Sequence, residues 1–346
     1  MGGDKAPLEI VKGAAQAAEE FDVSVTLVGR REVILDCLRQ LGKTPGGLLD
    51  IQDAREVVDM EDEASLATRQ KRDASMTVAL RLLAEGDGDA VVSAGSTGAL
   101  LTGATLIVKR VRGIRRAALA PVMPNGGKGM VLVDCGANVE CTPEYLLQFA
   151  YMGSFYSRHI LGCESPKVAL LNNGAEEIKG TPLQRDTYQL LKAASAAGRL
   201  NFVGNVEARE ILGGGADVVV TDGFSGNILL KSYEGAVAML LSHIKDILQK
   251  DKRSRLAAML IKGDLTQLKK TMDPGETGGT ALLGISKPVV KAHGNSDARA
   301  IRSAIRQAVM FAKAEVIPEI EANIEYMKIA QKTAENPLPA PGGGTV

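Results

Sequence analysis

Residues 130–153 read MVLVDCGANVECTPEYLLQFAYMG. The run from Met130 to Asp134 is apolar and rich in β-branched residues, and it ends in a polar turn that contains glycine. Thr142 and Pro143 then supply a helix cap and a proline in the first helical turn. This order predicts a buried strand, a loop and a helix, which is the repeating unit of a largely parallel sheet.

The same order recurs along the chain, and Thr181 to Gln184 (TPLQ) adds a capping box. Strands are predicted at Val23–Val28, Ala90–Ser93, Met130–Asp134, Val168–Asn172, Asn201–Val203 and Ala216–Thr221. We therefore predict an α/β fold, a three-layer αβα arrangement around a mostly parallel, doubly wound sheet. One catalytic domain over residues 1–335 is expected, with a helical hairpin at about 235–275 and a disordered tail at 336–346.

Composition excludes several classes of protein. Of 346 residues, 45% are hydrophobic and 24% charged, which fits a compact globular chain with a sizeable core. Lys+Arg and Asp+Glu number 41 each, so no overall positive charge favours nucleic acid, and no nucleic-acid partner is expected. The four cysteines lack paired Cys-x-x-Cys spacing and no secretory leader precedes them, which favours reduced thiols and a cytoplasmic location.

Five polar, glycine-containing segments follow predicted strands or begin the chain: Met1–Asp4, Ser93–Leu101, Val133–Asn138, Leu171–Gly180 and Thr221–Asn227. Such loops let backbone amides approach an anion, and an adjoining helix start adds positive potential. Because strand ends of a parallel sheet meet at one edge, we expect these segments to converge there. The candidate binding residues are Gly3, Asp4, Gly95, Ser96, Thr97, Gly98, Asp134, Gly136, Asn172, Asn173, Gly174, Asp222, Gly223 and Gly226.

Charged side chains near these loops are the candidates for chemistry. Lys179 and Lys231 can supply positive charge, and His293 lies in the polar segment KAHGNSD. Cys135 at a strand end is more typical of a small buried hydrophobe than of a reactive thiolate. No Walker-type loop, no complete dinucleotide fingerprint and no metal-ligand spacing is present, so ATP, NAD and metal are disfavoured and no cofactor is expected.

Taken together, the motifs resemble the bacterial phosphate acyltransferases of the PlsX type. The matching stretches run in order along nearly the whole chain: MGGDKAP, SAGSTGALLTGAT, LAPVMP, LVDCGANVECTPEYLLQFAYMG, LLNNGAEEIKG, NFVGNVEARE, ADVVVTDGFSGNILLKSYEG and GISKPVVKAHGNSDARAI. The resemblance implies transfer of a long-chain acyl group from acyl carrier protein to inorganic phosphate, which gives an acyl phosphate for phospholipid synthesis. It also implies a homodimer and a fold similar to isopropylmalate dehydrogenase and phosphate acetyltransferase.

The start of the sequence departs from this family. The family has an apolar strand ending in Asp-Ala ahead of MGGD, whereas this sequence begins at Met1, so we expect one sheet strand to be missing and stability or activity to be reduced. Lys5 also stands where the family often has histidine.

The chemistry implied is attack of a phosphate oxygen on a thioester carbonyl, with expulsion of a thiolate. Amides of the Ser93–Gly98 and Asn172–Gly180 loops, helped by Lys179, are expected to hold phosphate. Asn138 and Asn227 are the expected oxyanion donors, and His293 or Lys231 is expected to assist the departing thiolate.

Two surfaces are expected to meet partners. Residues 109–116 (KRVRGIRR) place Arg110, Arg112, Arg115 and Arg116 where acidic acyl carrier protein is expected to dock. In residues 254–270, an apolar face formed by Leu256, Met259 and Leu260 is bordered by cations. It suits an anionic bilayer or a dimer contact, and the resemblance favours peripheral membrane association, with a membrane glycerol-3-phosphate acyltransferase as a further partner.

Rival functions remain open on the sequence. A phosphate acetyltransferase using acyl-CoA shares the reaction, and a non-catalytic membrane scaffold would use the hairpin alone. A dehydrogenase is disfavoured because the expected aspartate cluster is not evident.

Overall fold

The computed structural model describes residues 1–59, 61–272 and 278–329. The tail predicted to be disordered, 336–346, lies outside the described residues, as do residues 273–275 of the predicted hairpin. The strands are β1 Val25–Gly29, β2 Leu49–Asp53, β3 Val91–Ser93, β4 Ala118–Ala120, β5 Val122–Met123, β6 Met130–Val133, β7 Lys167–Asn172, β8 Asn201–Glu207, β9 Val218–Val220, β10 Thr280–Leu283 and β11 Val289–Lys291.

The helices alternate with the strands through most of the chain. They are α1 Leu8–Phe21, α2 Arg31–Gln40, α3 Ala64–Gln70, α4 Ser75–Glu85, α5 Thr97–Gly103, α6 Pro143–Leu161, α7 Pro182–Ala196, α8 Gly223–Gln249, α9 Lys252–Leu260, α10 Lys262–Met272, α11 Ala298–Lys313 and α12 Val316–Ala322. The predicted capping signals are present, since Thr142 accepts a hydrogen bond from the Tyr145 amide and Thr181 forms a capping box with Gln184.

The sheet continues through a kinked strand. Strands pair in the orders β2-β1, β3-β11-β10-β4 and β5-β6-β9-β7-β8. Only Pro121 separates β4 from β5, and both lie against the β6 segment, because the Leu132 amide donates to Pro121 O and the Cys135 amide to Leu119 O. The second and third groups therefore form one mixed sheet in which most pairings are parallel.

Helices cover both faces of this sheet. Val131 and Val133 of β6 belong to one buried cluster, with α1, α6 and α11, whereas Met130 and Leu132 belong to the other, with α4 and α5. Alternate side chains of a strand point to opposite faces, so these short strands are apolar throughout. The predicted three-layer αβα fold is confirmed.

Strand direction overturns one prediction about the loops. Within the mixed sheet, β5 runs antiparallel to β6, β10 antiparallel to β4, and β11 antiparallel to β10, while β3 is parallel to β11. Strands β3 and β11 consequently run opposite to β6, β9 and β7. The loops after β3 and β11 lie at one edge of the sheet and those after β6, β9 and β7 at the other, so the prediction that all the polar loops share one edge is wrong.

A gap separates β1 from β3. In the described residues β1 pairs only with β2 and β3 only with β11, and a cavity of about 590 Å³ lies between them. Met1 and Gly2 close one end of this cavity, beside Gly29 at the end of β1 and Gly95 just after β3. Burial lowers the pKa of the Met1 amino group there. Strands β1 and β3 thus run towards the same point. Among the described residues, no strand pairs with the sides of β1 and β3 that face each other.

The second half of α8, together with α9 and α10, extends away from the sheet. Apolar side chains on this segment are widely exposed, among them Leu240, Ile247 and Leu260, and α9 has no buried residue. Within the described ranges, no helix is both long and apolar enough to cross a membrane.

Candidate active site

Asp134 organises the loop that follows β6. Its side chain is fully buried and accepts hydrogen bonds from the amides of Leu119, Cys135 and Ala137 through Oδ1 and from the Asn138 amide through Oδ2. Burial raises the pKa of Asp134, and these hydrogen bonds oppose that rise. Asp134 is therefore the acceptor on which the DCGAN turn is built rather than a group that faces substrate.

Two glycines let α8 start directly against this turn. A Cβ at Gly226 would stand 2.1 Å from Asp134 O, and one at Gly223 would stand 2.6 Å from Asn138 O. The Gly223 amide instead donates to Asn138 O at 2.8 Å, and Asp222 caps α8 by accepting from the Ser225 amide. These contacts fix the first turn of α8 beside the DCGAN turn.

The two predicted oxyanion donors differ in their hydrogen bonding. Asn138 Nδ2 donates to Ala117 O at 2.8 Å and to Asp134 Oδ2 at 3.0 Å, so both of its N–H groups are engaged. This pairing argues against Asn138 as an oxyanion donor and makes it a positioning residue. Asn227 is half-buried, its side chain faces Gly136, and within the described ranges it has no hydrogen-bond partner.

Lys231 lies one helical turn after Asn227, on the same face of α8. Burial raises the pKa of the Cys135 thiol to about 12, and the nearby charge of Lys231 opposes that rise. Cys135 is buried and its Sγ lies 3.4 Å from Gly226 O. The prediction of a buried thiol is thus confirmed.

The loop after β7 presents Lys179 at the same edge. The side chain of Lys179 lies over Gly174, and Asn172 Nδ2 donates to Lys179 O at 3.2 Å, while Asn173 is exposed. Lys179 is exposed, and no carboxylate among the described residues pairs with it. Strand β7 is two strands from β6, a lateral distance of about 10 Å.

We refer to the surface formed by Asp134–Asn138, Thr221–Lys231 and Asn172–Lys179 as the Asp134 edge. Helices α6, α7 and α8 all begin there, so their partial positive charges add to those of Lys179 and Lys231. Within the described residues no group of His, Cys, Asp and Glu could hold a metal ion.

The remaining predicted residues lie at the opposite edge of the sheet. The Asp4 amide donates to Gly294 O at 2.7 Å, Gly3 contacts Ala94, and Gly95 lies beside Gly2. Ser96 caps α5, which begins at Thr97, and Gly98 packs beside Ala64. His293 is exposed there, with its Nδ1 accepting from the Asn295 amide at 3.4 Å, and it lies at the edge opposite Lys231, the other residue predicted to assist the thiolate.

The sequence reasoning missed Lys291 at this second edge. It is buried, and its Nζ donates to the carbonyl oxygens of Ala94, at 3.5 Å, and of Ala292. Burial lowers the pKa of Lys291 to about 8, and Asp4 opposes this. The signal was a lysine in an otherwise apolar strand, KPVVKA, where burial makes a charge unusual.

Comparison with solved structures defines the class of fold. A phosphotransacetylase from Streptococcus pyogenes superposes with a TM-score of 0.60 at 20% identity, over 91% of this chain and 92% of that one. A branched-chain phosphotransacylase from Enterococcus faecalis V583 gives 0.51 at 18% identity, over 90% and 97%. The chain therefore has a phosphotransacylase-type fold, and at these identities the likeness concerns the fold alone.

Sequence comparison then gives the family. A family profile described as "Fatty acid synthesis protein" matches residues 1–319. A phosphate acyltransferase of Clostridioides difficile is 43% identical over 97% of this chain and 98% of its own length, and one of Anoxybacillus flavithermus is 46% identical over 95% and 98%. The chain belongs to the phosphate acyltransferase family, and the predicted family resemblance is confirmed.

Proposed function

We propose that this protein transfers a long-chain acyl group from acyl carrier protein to inorganic phosphate at the Asp134 edge, and that the acyl phosphate enters phospholipid synthesis. One observation carries the choice of edge. Asn227 presents a side-chain amide that has no hydrogen-bond partner among the described residues; it lies beside Gly136 near the start of α8, with Lys231 one turn further on.

In this reaction a phosphate oxygen attacks the thioester carbonyl carbon, the C–S bond breaks, and the thiolate takes up a proton. Phosphate is nucleophilic at neutral pH, so no covalent acyl-enzyme is required, and positioning and charge stabilisation supply the rate enhancement. Asn227 Nδ2 would donate to the developing oxyanion, and Lys231 would stabilise the thiolate and supply its proton. Asp134 and Asn138 hold the turn in place without touching substrate.

The test of the oxyanion donor is Asn227→Ala. Loss of one such donor lowers kcat by about 100-fold. Asn227→Asp is a matched control of similar size that removes the donor and adds negative charge, and it should be at least as impaired. If Asn227→Ala retained the parent's kcat with an unchanged fold, the assignment would be wrong.

The phosphate acceptor is assigned to the loop Asn172–Gly180. Lys179 is unpaired in the described structure and adjoins the start of α7, so Lys179→Ala should raise the KM for phosphate far more than that for acyl carrier protein. Lys192→Ala is the control, because Lys192 lies near the same loop but already pairs with Glu177 at 2.8 Å. An unchanged phosphate KM in Lys179→Ala would reject this role.

The acyl donor is identified by comparing the rates with acyl carrier protein thioesters and with CoA thioesters in parallel assays. A preference for palmitoyl carrier protein, with a hydroxylamine-trappable product from labelled phosphate, supports the proposed function. A preference for acyl-CoA would favour an acetyltransferase-like enzyme, and the absence of any acyl phosphate would favour a scaffold. The acidic carrier is proposed to dock on Arg110, Arg112, Arg115 and Arg116. All of these except Arg112 line a pocket together with Tyr145 of α6.

The exposed segments of the helical extension supply the remaining proposals. The apolar stripe on α8 that includes Leu240 and Ile247 would pack against a second copy in a homodimer. Leu256, Met259 and Leu260 are 60%, 69% and 80% exposed and would rest on an anionic bilayer. This cytoplasmic, peripherally bound arrangement would deliver acyl phosphate to a membrane glycerol-3-phosphate acyltransferase.

A further inference from the structure

Next to the Asp134 edge lies a pocket lined by arginines that are also proposed to dock the carrier protein. It has a volume of about 390 Å³ and is lined by Arg110, Gly113, Ile114, Arg115, Arg116 and Tyr145. We call it the arginine pocket. Three of the four arginines predicted to dock the carrier line one concave site, and Arg112 is outside it.

The positive charge of this pocket is only partly compensated. Arg115 Nε lies 3.1 Å from Glu144 Oε1, whereas Arg110 and Arg116 have no carboxylate partner among the residues that the structure describes. The Arg116 guanidinium instead lies over the Tyr145 ring, 5.8 Å from its centroid. Within the described ranges, two guanidinium groups of the pocket are thus without a carboxylate partner, and guanidinium is the side-chain group best suited to bind a phosphate.

The backbone beneath these arginines is fixed, unlike that of an ordinary solvated run of charge. Buried Gln148 accepts from the Arg115 amide at 2.8 Å and donates to Gly113 O at 3.2 Å. The Val111 amide donates to Gly284 O, and Ile114 is buried in the core. Such support fixes the backbone from which the arginine side chains extend, so the backbone loses little entropy when a ligand binds.

The pocket also adjoins the proposed reaction centre. Arg116 precedes Ala117, whose carbonyl oxygen accepts a hydrogen bond from Asn138 Nδ2. Burial raises the pKa of Cys141, just beyond the DCGAN turn, to about 12, and the nearby charge of Arg116 opposes that rise. The Gly223 amide then links Asn138 to the first turn of α8, which bears Asn227. A ligand anchored at Arg116 is therefore next to the turn that positions the thioester.

From this arrangement we infer that the arginine pocket binds the phosphodiester of the 4′-phosphopantetheine arm that carries the acyl thioester. The inference rests on the proposed function, because it assumes that the thioester reacts beside Asn227. Carrier protein and CoA both present this phosphoryl group on the same arm, so the pocket recognises chemistry that the two donors share. A group anchored here leaves the arm free to reach the DCGAN turn.

The experiment compares two small donors, acyl-4′-phosphopantetheine and acyl-pantetheine, which differ only by the phosphoryl group. The parent should show kcat/KM at least tenfold higher for the phosphorylated donor, since a charge-assisted contact is lost with the other. Arg110→Ala and Arg116→Ala should each remove most of that preference while leaving kcat/KM for acyl-pantetheine within twofold. Lys109→Gln removes a charge from the same run outside the pocket and should keep the preference.

Several results would overturn the inference. One is an equal kcat/KM for both small donors in the parent, and another is an equal loss of kcat/KM for both donors in the arginine variants. A third is a raised KM for inorganic phosphate in those variants, which would assign the pocket to the acceptor. A loss confined to intact carrier protein, with both small donors and CoA unaffected, would assign the arginines to the carrier's protein surface instead.

Asn227→Ala separates this inference from the proposed function. If it lowers kcat with both small donors, the reaction centre stands whatever the arginine variants do. If it has no effect while the arginine variants lose the preference, the arm site stands and the reaction centre is elsewhere.

Discussion

The cavity between β1 and β3 predicts that one added strand would stabilise this protein. Five apolar residues, alternating valine and isoleucine and joined directly to Met1, would match the length of β1 and end where Met1 already lies between Gly29 and Gly95. Because β1 and β3 both run towards that point, the added strand would lie parallel to each and bond to both free edges.

The expected gain in the free energy of unfolding is the sum of three contributions. Burying five aliphatic side chains contributes about 10 kcal/mol, and pairing with two edges adds about 5 kcal/mol. Ordering five residues opposes this by about 8 kcal/mol. The net gain of about 7 kcal/mol corresponds to a rise in Tm of about 10 °C for a chain of this size.

The assay is thermal unfolding of the extended chain beside a control with a Gly/Ser extension of equal length. Hydrogen exchange adds a local measurement, since amides of β1 and β3 should become protected only with the apolar extension. Equal melting temperatures for the two extensions, with no new protection in β1 or β3, would refute the reasoning.

Three further predictions concern single side chains. Asp134→Asn replaces an oxygen that accepts from the amide and side chain of Asn138, so stability to denaturant should fall by about 2–4 kcal/mol, and an unchanged midpoint would contradict this. The pKa of Lys291 is about 8 in the folded chain and 10.5 ordinarily, so between these pH values the unfolded chain binds more protons than the folded chain. The free energy of unfolding of the parent, relative to that of Lys291→Met, should therefore rise by roughly 1–3 kcal/mol from pH 8 to 10.5. A difference between the two proteins that does not change with pH would contradict this. Leu260→Glu should abolish flotation with anionic liposomes, while Leu212→Glu, an exposed apolar site outside the hairpin, should float like the parent; if both float, the bilayer contact lies elsewhere.

The pattern of the sequence was sufficient for the class of fold and for most elements. All six predicted strands are present within a few residues, because each is an apolar run next to a helix with clear start signals. Strands β2, β4, β5, β10 and β11 were missed. Apart from β2, which is five residues long, these strands have only two to four residues, and runs so short do not show whether they belong to a strand or to a buried helix.

Those missed strands decide the geometry of the site. Each antiparallel pairing reverses the direction of the sheet, and the pairings through β5, β10 and β11 turn the carboxyl ends of β3 and β11 to the edge opposite Asp134. The local sequence pattern predicts which residues end a strand. Which side of the sheet that strand end faces depends on the direction of every strand pairing that connects it to the rest of the sheet.

The amino-acid sequence by itself therefore determined the αβα architecture, the family and the chemical character of the loops, since these follow from periodicity, caps and residue type. Only the tertiary structure decided which loops meet, that the Asn138 side chain is hydrogen-bonded while that of Asn227 has no partner within the described part of the chain, and that Lys291 is buried. These features arise from contacts between residues far apart in the chain, where strand direction and competition for hydrogen bonds select among arrangements that local sequence allows equally.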